Sequence, residues 1–542
     1  MMNRRQSLGA LATLALGACA ERGPDPMMAD VGAEPTEPRQ ARARLEALAE
    51  RYAELMQQHG EHEWARYAGK LAEGPAAQAA MEKLRADETL AFSEAKSLLM
   101  SFSETLLPPR QAGLWRAGAL GLELLGDAEA ARLADELEAT INDHRFELDG
   151  KIVTRGDIAK MRRSEDPTVR RKTRTLEHQL HVKAAPIAKR LLVRRRELAR
   201  ELGKPSFYET LLGLRGVGPS EKEALAALER GTRTAQRRLR MQLITAAGDK
   251  PAAPWDLDYA LDRIAPAPPD ERFPKGRAMD TAFAVYRALG IDLGQPKLDV
   301  TLRDFAFGGQ TIAVKIPDDV RLVVRPTPGI RFYATLIHEL GHAYSATRTK
   351  STSSLTAGYE WIPGMLEPAF AEGIAEVFSR LLDEPSVLRD HLGMDAAEAR
   401  QIVASRRIEL VARVRRTLAW VELERLAHEN PDADLDTLSL RLERRMGATD
   451  VPRDTEPVWA TSPFLATYPA YTQSYLLAAM VAFQVREALR ARFGKAWLSP
   501  TAGAFLTERF VADGSRWTLR EKLVRVSGKP LSVGPMMRFI NG

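Results

Sequence analysis

The residues of this chain with the most evident chemistry are consecutive: His338, Glu339, Leu340, Gly341 and His342. On an α-helix, positions i and i+4 lie on one face, so the two imidazoles can reach a single Zn²⁺ at about 2.0–2.1 Å. Glu339 points about a quarter-turn away, where its carboxylate can hold a water molecule and act as a general base without occupying the metal. The pattern predicts the metal site of a zinc hydrolase, with His338 and His342 as ligands.

A third protein ligand is needed, because catalytic zinc sites use three protein ligands and keep one position open. No further histidine follows soon after His342, so the sequence favours a carboxylate from the acidic segment 367–376. Glu372 is the predicted ligand, and Glu376, one helical turn later, is predicted to accept a hydrogen bond from a ligating histidine. Glu367 also lies at a usable separation from the motif and remains the alternative ligand.

The elements that must position these residues are mainly helices. Short β-branched segments, LDVTL and VRLVV, precede the motif within residues 298–325 and predict a small sheet next to the zinc helix. A proline-rich stretch from Pro251 to Pro274 interrupts the helical pattern. Apolar residues recur at helical spacing in five earlier segments, 42–73, 76–106, 128–146, 166–202 and 219–247. The predicted fold class is therefore mainly α.

The composition excludes several classes of protein. The chain has 542 residues, of which 45% are hydrophobic and 28% charged, which is typical of a globular protein rather than a disordered or collagen-like one. Its single cysteine, Cys19, excludes an internal disulfide and any cluster of several cysteines around a metal. The net charge of +6 arises from a balanced mix of both signs, so we predict no nucleic-acid partner.

The N-terminus has the pattern of an export signal. A pair of arginines precedes a short apolar run, which is too short to span a membrane, and the run ends in Leu16-Gly17-Ala18-Cys19, which resembles a bacterial lipobox. We expect a signal peptide at residues 1–18, lipidation of Cys19 and a flexible tether over 19–41. Ala20 follows the cysteine, which favours the periplasmic face of the outer membrane over the inner membrane, with membrane contact only through this anchor.

Two later segments carry a family resemblance. The run from Pro368 to Val377, PAFAEGIAEV, and the run from Tyr468 to Tyr475, YPAYTQSY, accompany the HELGH motif. Together they resemble the gluzincin metallopeptidases, particularly the angiotensin-converting-enzyme family and the thimet-oligopeptidase-like family, over about residues 250–542. The resemblance implies one peptidase domain at 42–542. Its two helical halves, about 42–250 and 251–542, would flank a deep channel.

The resemblance also implies roles for the late tyrosines. Tyr475 would donate a hydrogen bond to the oxyanion of the reaction, and Tyr471 and Tyr468 would contact substrate. Both families place a histidine upstream of these tyrosines, whereas here no histidine follows His428. The implied function is zinc-dependent hydrolysis of oligopeptides. The missing histidine keeps open the alternative of a catalytically weak or inactive, zinc-containing lipoprotein that binds peptides.

Overall fold

The computed structural model describes residues 37–68, 75–102, 106–293, 298–304 and 308–542. The predicted signal peptide, Cys19 and most of the predicted tether lie outside these ranges. Within them the chain forms 21 α-helices and two small sheets, so the mainly α fold class is confirmed. None of the described helices is both long and apolar enough to cross a membrane.

In the described part of the chain, nine helices precede the proline-rich stretch. They are α1 (Pro38–Tyr67), α2 (Pro75–Phe102), α3 (Pro109–Leu125), α4 (Ala128–Asp143), α5 (Arg155–Met161), α6 (Pro167–Glu201), α7 (Phe207–Leu214), α8 (Pro219–Gly231) and α9 (Arg233–Ala246). The single helix predicted over 219–247 is divided in two at Thr232. The Thr232 hydroxyl donates to Leu228 O at 2.7 Å and accepts from Arg415 Nη1 at 3.2 Å. A buried arginine therefore bonds to the residue at which α8 and α9 are separated.

Twelve further helices follow. They are α10 (Leu257–Ile264), α11 (Ala278–Ala288), α12 (Ile330–Arg348), α13 (Pro368–Ser379), α14 (Pro385–Leu392), α15 (Ala396–Glu429), α16 (Leu435–Met446), α17 (Phe464–Thr467), α18 (Gln473–Phe493), α19 (Pro500–Leu506), α20 (Leu519–Ser527) and α21 (Gly534–Asn541).

The strands form two sheets of different kinds. A hairpin pairs β1 (Phe146–Leu148) with β2 (Lys151–Val153). The second sheet contains β3 (Leu298–Leu302), β4 (Gly309–Lys315) and β5 (Asp319–Val324) in the order β3-β5-β4. β5 pairs parallel with β3 and antiparallel with β4, and α12 packs against both β4 and β5. The predicted sheet therefore does lie next to the helix that carries the HELGH motif.

The helix α12 follows from its apolar pattern. Gly329, with a φ of 80°, begins the helix, in a left-handed conformation that favours glycine. The side chains of Phe332, Leu336, Leu340 and Tyr344 recur at helical spacing and are buried. This apolar stripe fixes the rotation of α12, and the positions of its polar residues follow from that rotation.

Helix α13 lies between α12 and α18, and two glycines permit the close packing. A Cβ atom on Gly341 of α12 would lie 2.6 Å from Ala375 Cα of α13. A Cβ atom on Gly373 of α13 would lie 2.8 Å from Val481 Cγ1 of α18. Both distances are shorter than carbon contacts allow, so the helices approach closely only because these positions have no side chain.

Two large hydrophobic cores surround this region. The main core draws on residues from Leu124 to Ile540 and so includes helices from both sides of residue 250. A second core combines α1, α2 and α3 with the segment 355–365, which lies between α12 and α13 in the chain. The N-terminal helices therefore pack against a segment that adjoins the HELGH helix.

Candidate metal centre

The two histidines of the motif face the same space. His338 and His342 lie one turn apart on α12, and their Nε2 atoms are 3.3 Å apart. Both side chains are about one-fifth exposed, so they border an opening rather than the sealed core. The arrangement is the one that the i, i+4 spacing predicts.

Glu372 on α13 brings a carboxylate oxygen to the same point. Its Oε2 atom lies 3.3 Å from His338 Nε2 and 3.9 Å from His342 Nε2. A tetrahedral zinc ion with bonds of about 2.0–2.1 Å holds its ligand atoms about 3.3–3.4 Å apart, close to these separations. The three side chains, which we call the metal group, are thus arranged so that they could hold a metal ion.

A second observation also fits a metal. Glu372 Oε2 is buried and lacks a hydrogen-bond partner of good geometry, whereas Oε1 of the same carboxylate accepts a hydrogen bond from Tyr471 Oη at 2.8 Å. A buried carboxylate oxygen without a partner is costly, and a cation relieves that cost. The donor set of two imidazoles and one carboxylate is also one that zinc uses in hydrolases.

The charges of the metal group are strongly coupled. Burial alone would lower the pKa of His338, but the contact with the Glu372 carboxylate at 3.3 Å and the charge of that carboxylate outweigh it and raise this pKa to about 9. Burial and the neighbouring His338 lower the pKa of His342. Burial opposes ionisation of Glu372, but the two histidines prevail and its pKa is lowered. Without a metal, His338 is therefore protonated at neutral pH, and its positive charge lies beside the ionised carboxylate of Glu372.

Glu339 is held by the sheet. The Thr311 hydroxyl of β4 donates to Glu339, whose Oε2 and main-chain oxygen lie 2.8 Å and 2.9 Å away. A Cβ atom on Gly309 of the same strand would lie 2.5 Å from Glu339 Cγ. The strand thus orients the carboxylate with a hydroxyl and makes room for it with a glycine.

The other predicted glutamates occupy different places. Glu376 Oε2 lies 2.7 Å from Arg380 Nε, so its partner in the structure is an arginine, and the predicted hydrogen bond from a ligating histidine stays a prediction. The charge of Glu376 nevertheless helps to raise the pKa of His338. Glu367, the alternative ligand, stands at the start of α13 and accepts a hydrogen bond from Leu519 N at 3.0 Å, outside the metal group.

The three tyrosines form a connected row beside the metal group. The ring centroids of Tyr468 and Tyr471 are 5.8 Å apart, and those of Tyr471 and Tyr475 are 5.5 Å apart. Burial and the charge of Glu372 raise the pKa of Tyr475 well above its ordinary value, so its phenol remains a hydrogen-bond donor. Tyr471 has a contact that the sequence does not predict, because it bonds to the metal group itself.

Buried charged residues anchor the segment that carries these tyrosines. Arg195 donates to the main-chain oxygens of residues 465 and 466 at 2.6 Å and 2.9 Å, and Arg215 donates to the oxygen of residue 469 at 3.2 Å. Ala470, which has a φ of 52°, donates its N–H to Glu424 Oε1 at 2.8 Å. The backbone of the segment is therefore fixed from α6, α15 and the end of α7.

Sequence reasoning missed these supporting residues for a common reason. Thr311, Arg195 and Glu424 are distant in sequence from the residues that they orient, and each belongs to an ordinary strand or helix pattern. A usable signal existed only for Thr311, since Gly308 and Gly309 precede it and adjacent glycines indicate close backbone approach.

No protein-family model matches the chain, and no curated protein matches it. The resemblance to gluzincins therefore rests on the motifs themselves. The sequence and the structure together describe a mainly helical protein in which His338, His342 and Glu372 form a largely buried group, consistent with an HExxH-type metal site.

Proposed function

We propose that this chain is a zinc-dependent metallopeptidase that hydrolyses peptide bonds of oligopeptides. The observation that carries the proposal is the metal group, in which two imidazole nitrogens and one carboxylate oxygen lie 3.3–3.9 Å apart, with Glu339 directly after His338 on the same helix. Zinc bound there would supply Lewis acidity, which polarises the scissile carbonyl and makes water a stronger acid.

The chain's own residues would perform the proton transfers. Glu339 acts as the general base, taking a proton from the attacking water and delivering it to the leaving amine. One of its oxygens is bonded to Thr311, which holds the carboxylate in a fixed orientation. Tyr475 donates a hydrogen bond to the carbonyl oxygen as negative charge develops on it.

The decisive experiment compares the purified full-length protein with two variants. Glu339→Gln removes the base, and Glu147→Gln makes the same change at an exposed glutamate of β1. We expect about one zinc ion per chain in all three proteins, and hydrolysis of internally quenched peptides by the wild type and Glu147→Gln only. Loss of the base should lower the rate at least about 10²-fold.

The alternative function is a zinc-containing lipoprotein that binds peptides without useful turnover. It is favoured by the absence of any histidine after His428 in the sequence, and His428 itself stacks on Phe207 with ring centroids 5.7 Å apart. Stoichiometric zinc without hydrolysis in any of the three proteins would support this alternative. A wild type that binds no zinc would exclude both functions.

The location is also a proposal. Cleavage after residue 18 and lipidation of Cys19 would attach the protein to the periplasmic face of the outer membrane. We expect the wild type in the membrane fraction and a Cys19→Ser variant with altered processing. Wild-type protein that carries no lipid would contradict this location.

A further inference from the structure

A pocket opens directly beside the metal group, and we call it the side pocket. One wall is α12, from His342 to Thr349, and another is β4, with Thr311 and Ala313. Further walls are formed by the segment from Ala357 to Trp361 and by residues within 366–371. Because an α-helix rises about 1.5 Å per residue, the pocket runs about 10 Å along α12 away from His342.

The walls of the side pocket are mostly small or apolar, and Glu360 contributes its only acidic side chain. Among the described residues that line it, Ala313, Ala346, Ala357, Gly358 and Gly514 leave the space open. Apart from the metal-group histidine, the other polar lining groups are the hydroxyls of serine, threonine and tyrosine and the Trp361 indole. A ligand in the pocket would therefore meet one negative charge on an otherwise neutral surface.

Glu360 is firmly placed although its own carboxylate is unpaired. Its neighbour Tyr359 is buried in the second core and accepts a hydrogen bond from Ile316 N at 2.9 Å. Its other neighbour, Trp361, stacks on His59 with ring centroids 4.8 Å apart. Within the described part of the chain, no hydrogen bond or ion pair joins the Glu360 carboxylate, and its side chain is open to the pocket.

The charged groups that influence Glu360 are acidic. Glu360 is exposed to solvent, yet the protein atoms around its carboxylate, together with the charges of Glu372 and Glu339, raise its pKa to about 7. A divalent metal ion would offset the charges of Glu339 and Glu372, since two carboxylates balance one Zn²⁺. Glu360 would still lack a countercharge within the described part of the protein, so its carboxylate is available to a cationic ligand.

From this arrangement we infer that the side pocket binds a cationic group of the peptide substrate through Glu360. The group is either the terminal ammonium of the peptide or the side chain of a lysine or arginine near the scissile bond. This inference rests on the proposed peptidase function and adds a substrate class to it. Charge-assisted hydrogen bonds to a carboxylate are among the stronger contacts available to a ligand.

The test uses the full-length protein and matched quenched peptides of one length. One peptide has a free N-terminus and no basic residue, a second is acetylated and neutral, and a third is acetylated with a single lysine placed at successive positions. We expect kcat/KM for a cationic peptide to exceed that for the neutral one by about 10- to 100-fold. The first and third peptides show which of the two cations is recognised.

Three variants assign the preference to Glu360. In Glu360→Gln the ratio of cationic to neutral kcat/KM should fall to about 1, and in Glu360→Lys it should invert in favour of peptides with glutamate. Glu147→Gln, the exposed control on β1, should keep the wild-type ratio. A wild type that hydrolyses all peptides equally, or a ratio unchanged in Glu360→Gln, would overturn the inference and leave the peptidase function standing.

A binding measurement separates this inference from the proposed function. Fluorescence anisotropy with the same peptides is read in the Glu339→Gln background, where no turnover occurs. Tighter binding of cationic peptides that is lost with Glu360→Gln supports the side pocket even if the wild type hydrolyses nothing. Equal binding of cationic and neutral peptides contradicts it.

Discussion

At the scale of single residues, the two oxygens of Glu372 have different surroundings. Oε2 faces the histidine pair, and Oε1 accepts the hydrogen bond from Tyr471 at 2.8 Å. The Tyr471 ring in turn lies 4.9 Å from the guanidinium carbon of Arg215, which bonds to the same segment of backbone. Tyr471 therefore orients Glu372 of the metal group, a contact different from the substrate contact that the family resemblance implies.

Replacing Tyr471 by phenylalanine should therefore weaken metal binding. The change removes the hydrogen bond to Glu372 Oε1 while keeping the ring on Arg215, and loss of such a contact typically lowers metal affinity about 10- to 100-fold. The measurement is competition for zinc with a chromophoric chelator. Tyr475→Phe is the matched control: it should keep zinc affinity and lower kcat about 10²- to 10³-fold. If Tyr475→Phe weakened zinc binding and Tyr471→Phe lowered only kcat, the roles of the two tyrosines would be the reverse of those argued above.

His428 makes stability depend on pH in a specific direction. Its burial and the nearby Arg195 lower its pKa to about 3, against about 6.5 in the unfolded chain. Between these two pH values, His428 is protonated in the unfolded chain but neutral in the folded protein. The contribution of His428 is thus fully present above about pH 6.5 and is lost as pH falls towards 3.

We therefore expect His428→Gln to flatten the pH dependence of unfolding. Between pH 6 and pH 4, the free energy of unfolding of the wild type should fall more steeply, by up to about 1.4 kcal/mol per pH unit relative to the variant. Urea unfolding at several pH values measures this difference. His391→Gln, a partly exposed histidine of α14, is the control and should keep the wild-type slope. Parallel curves for wild type and His428→Gln would refute the assignment.

At the scale of elements, the metal group depends on the distance between α12 and α13. The two histidines lie on α12 and Glu372 lies on α13, and the helices are in close contact where Gly341 faces Ala375. A methyl group at this position would meet backbone and not the flexible end of a side chain. Relief of the clash would require the helices to separate.

Gly341→Ala should therefore reduce both stability and metal affinity. Overpacking of this kind costs about 1–3 kcal/mol in the free energy of unfolding, and separation of the helices moves Glu372 away from the histidines. Gly113→Ala on α3 is the matched control, because no atom lies within 4 Å of the added Cβ and alanine is the better helix former. The control should be neutral or stabilising by up to about 1 kcal/mol. Equal thermal stability and zinc affinity in Gly341→Ala and the wild type would disprove the packing argument.

What the sequence could predict at this scale is local. Helical periodicity placed α1, α2, α4 and α6 to within a few residues, and the i, i+4 rule brought His338 and His342 together, because both effects depend on neighbours along the chain. The spacing of acidic residues singled out Glu372 over Glu367. That choice matches the carboxylate that lies beside the two histidines.

The supporting residues of the site depend on tertiary contacts, which the periodicity of the sequence does not predict. The β-branched pattern does not predict β4 as a strand, yet β4 provides Thr311, which bonds to Glu339 28 positions later in the chain. Ala470 meets Glu424 across 46 positions, and Arg195 reaches residue 465 across 270. Such contacts are determined by how the elements pack in three dimensions, so apart from the glycine pair before Thr311 the sequence contains no local signal for them.

At the scale of the whole molecule, the metal would join parts of the main core. α12, α13 and α18 pack together there, and the segment with Glu360 is packed against α1 to α3 in the second core. Zinc should therefore stabilise the fold by mass action, by about 2.7 kcal/mol at a free concentration 100 times its dissociation constant.

The apoprotein should nevertheless stay folded. Without zinc, His338 is protonated at neutral pH, since its pKa is raised to about 9, and its charge then pairs with Glu372 across 3.3 Å. We expect a chelator to lower the melting temperature by a few degrees with the helical circular dichroism intact, and added zinc to restore it. His338→Ala and Glu372→Ala should melt at one temperature with or without zinc, whereas His391→Gln should respond as the wild type does. Global unfolding on chelation would show that the pair cannot replace the metal, and a wild type indifferent to zinc would show that the metal group binds none.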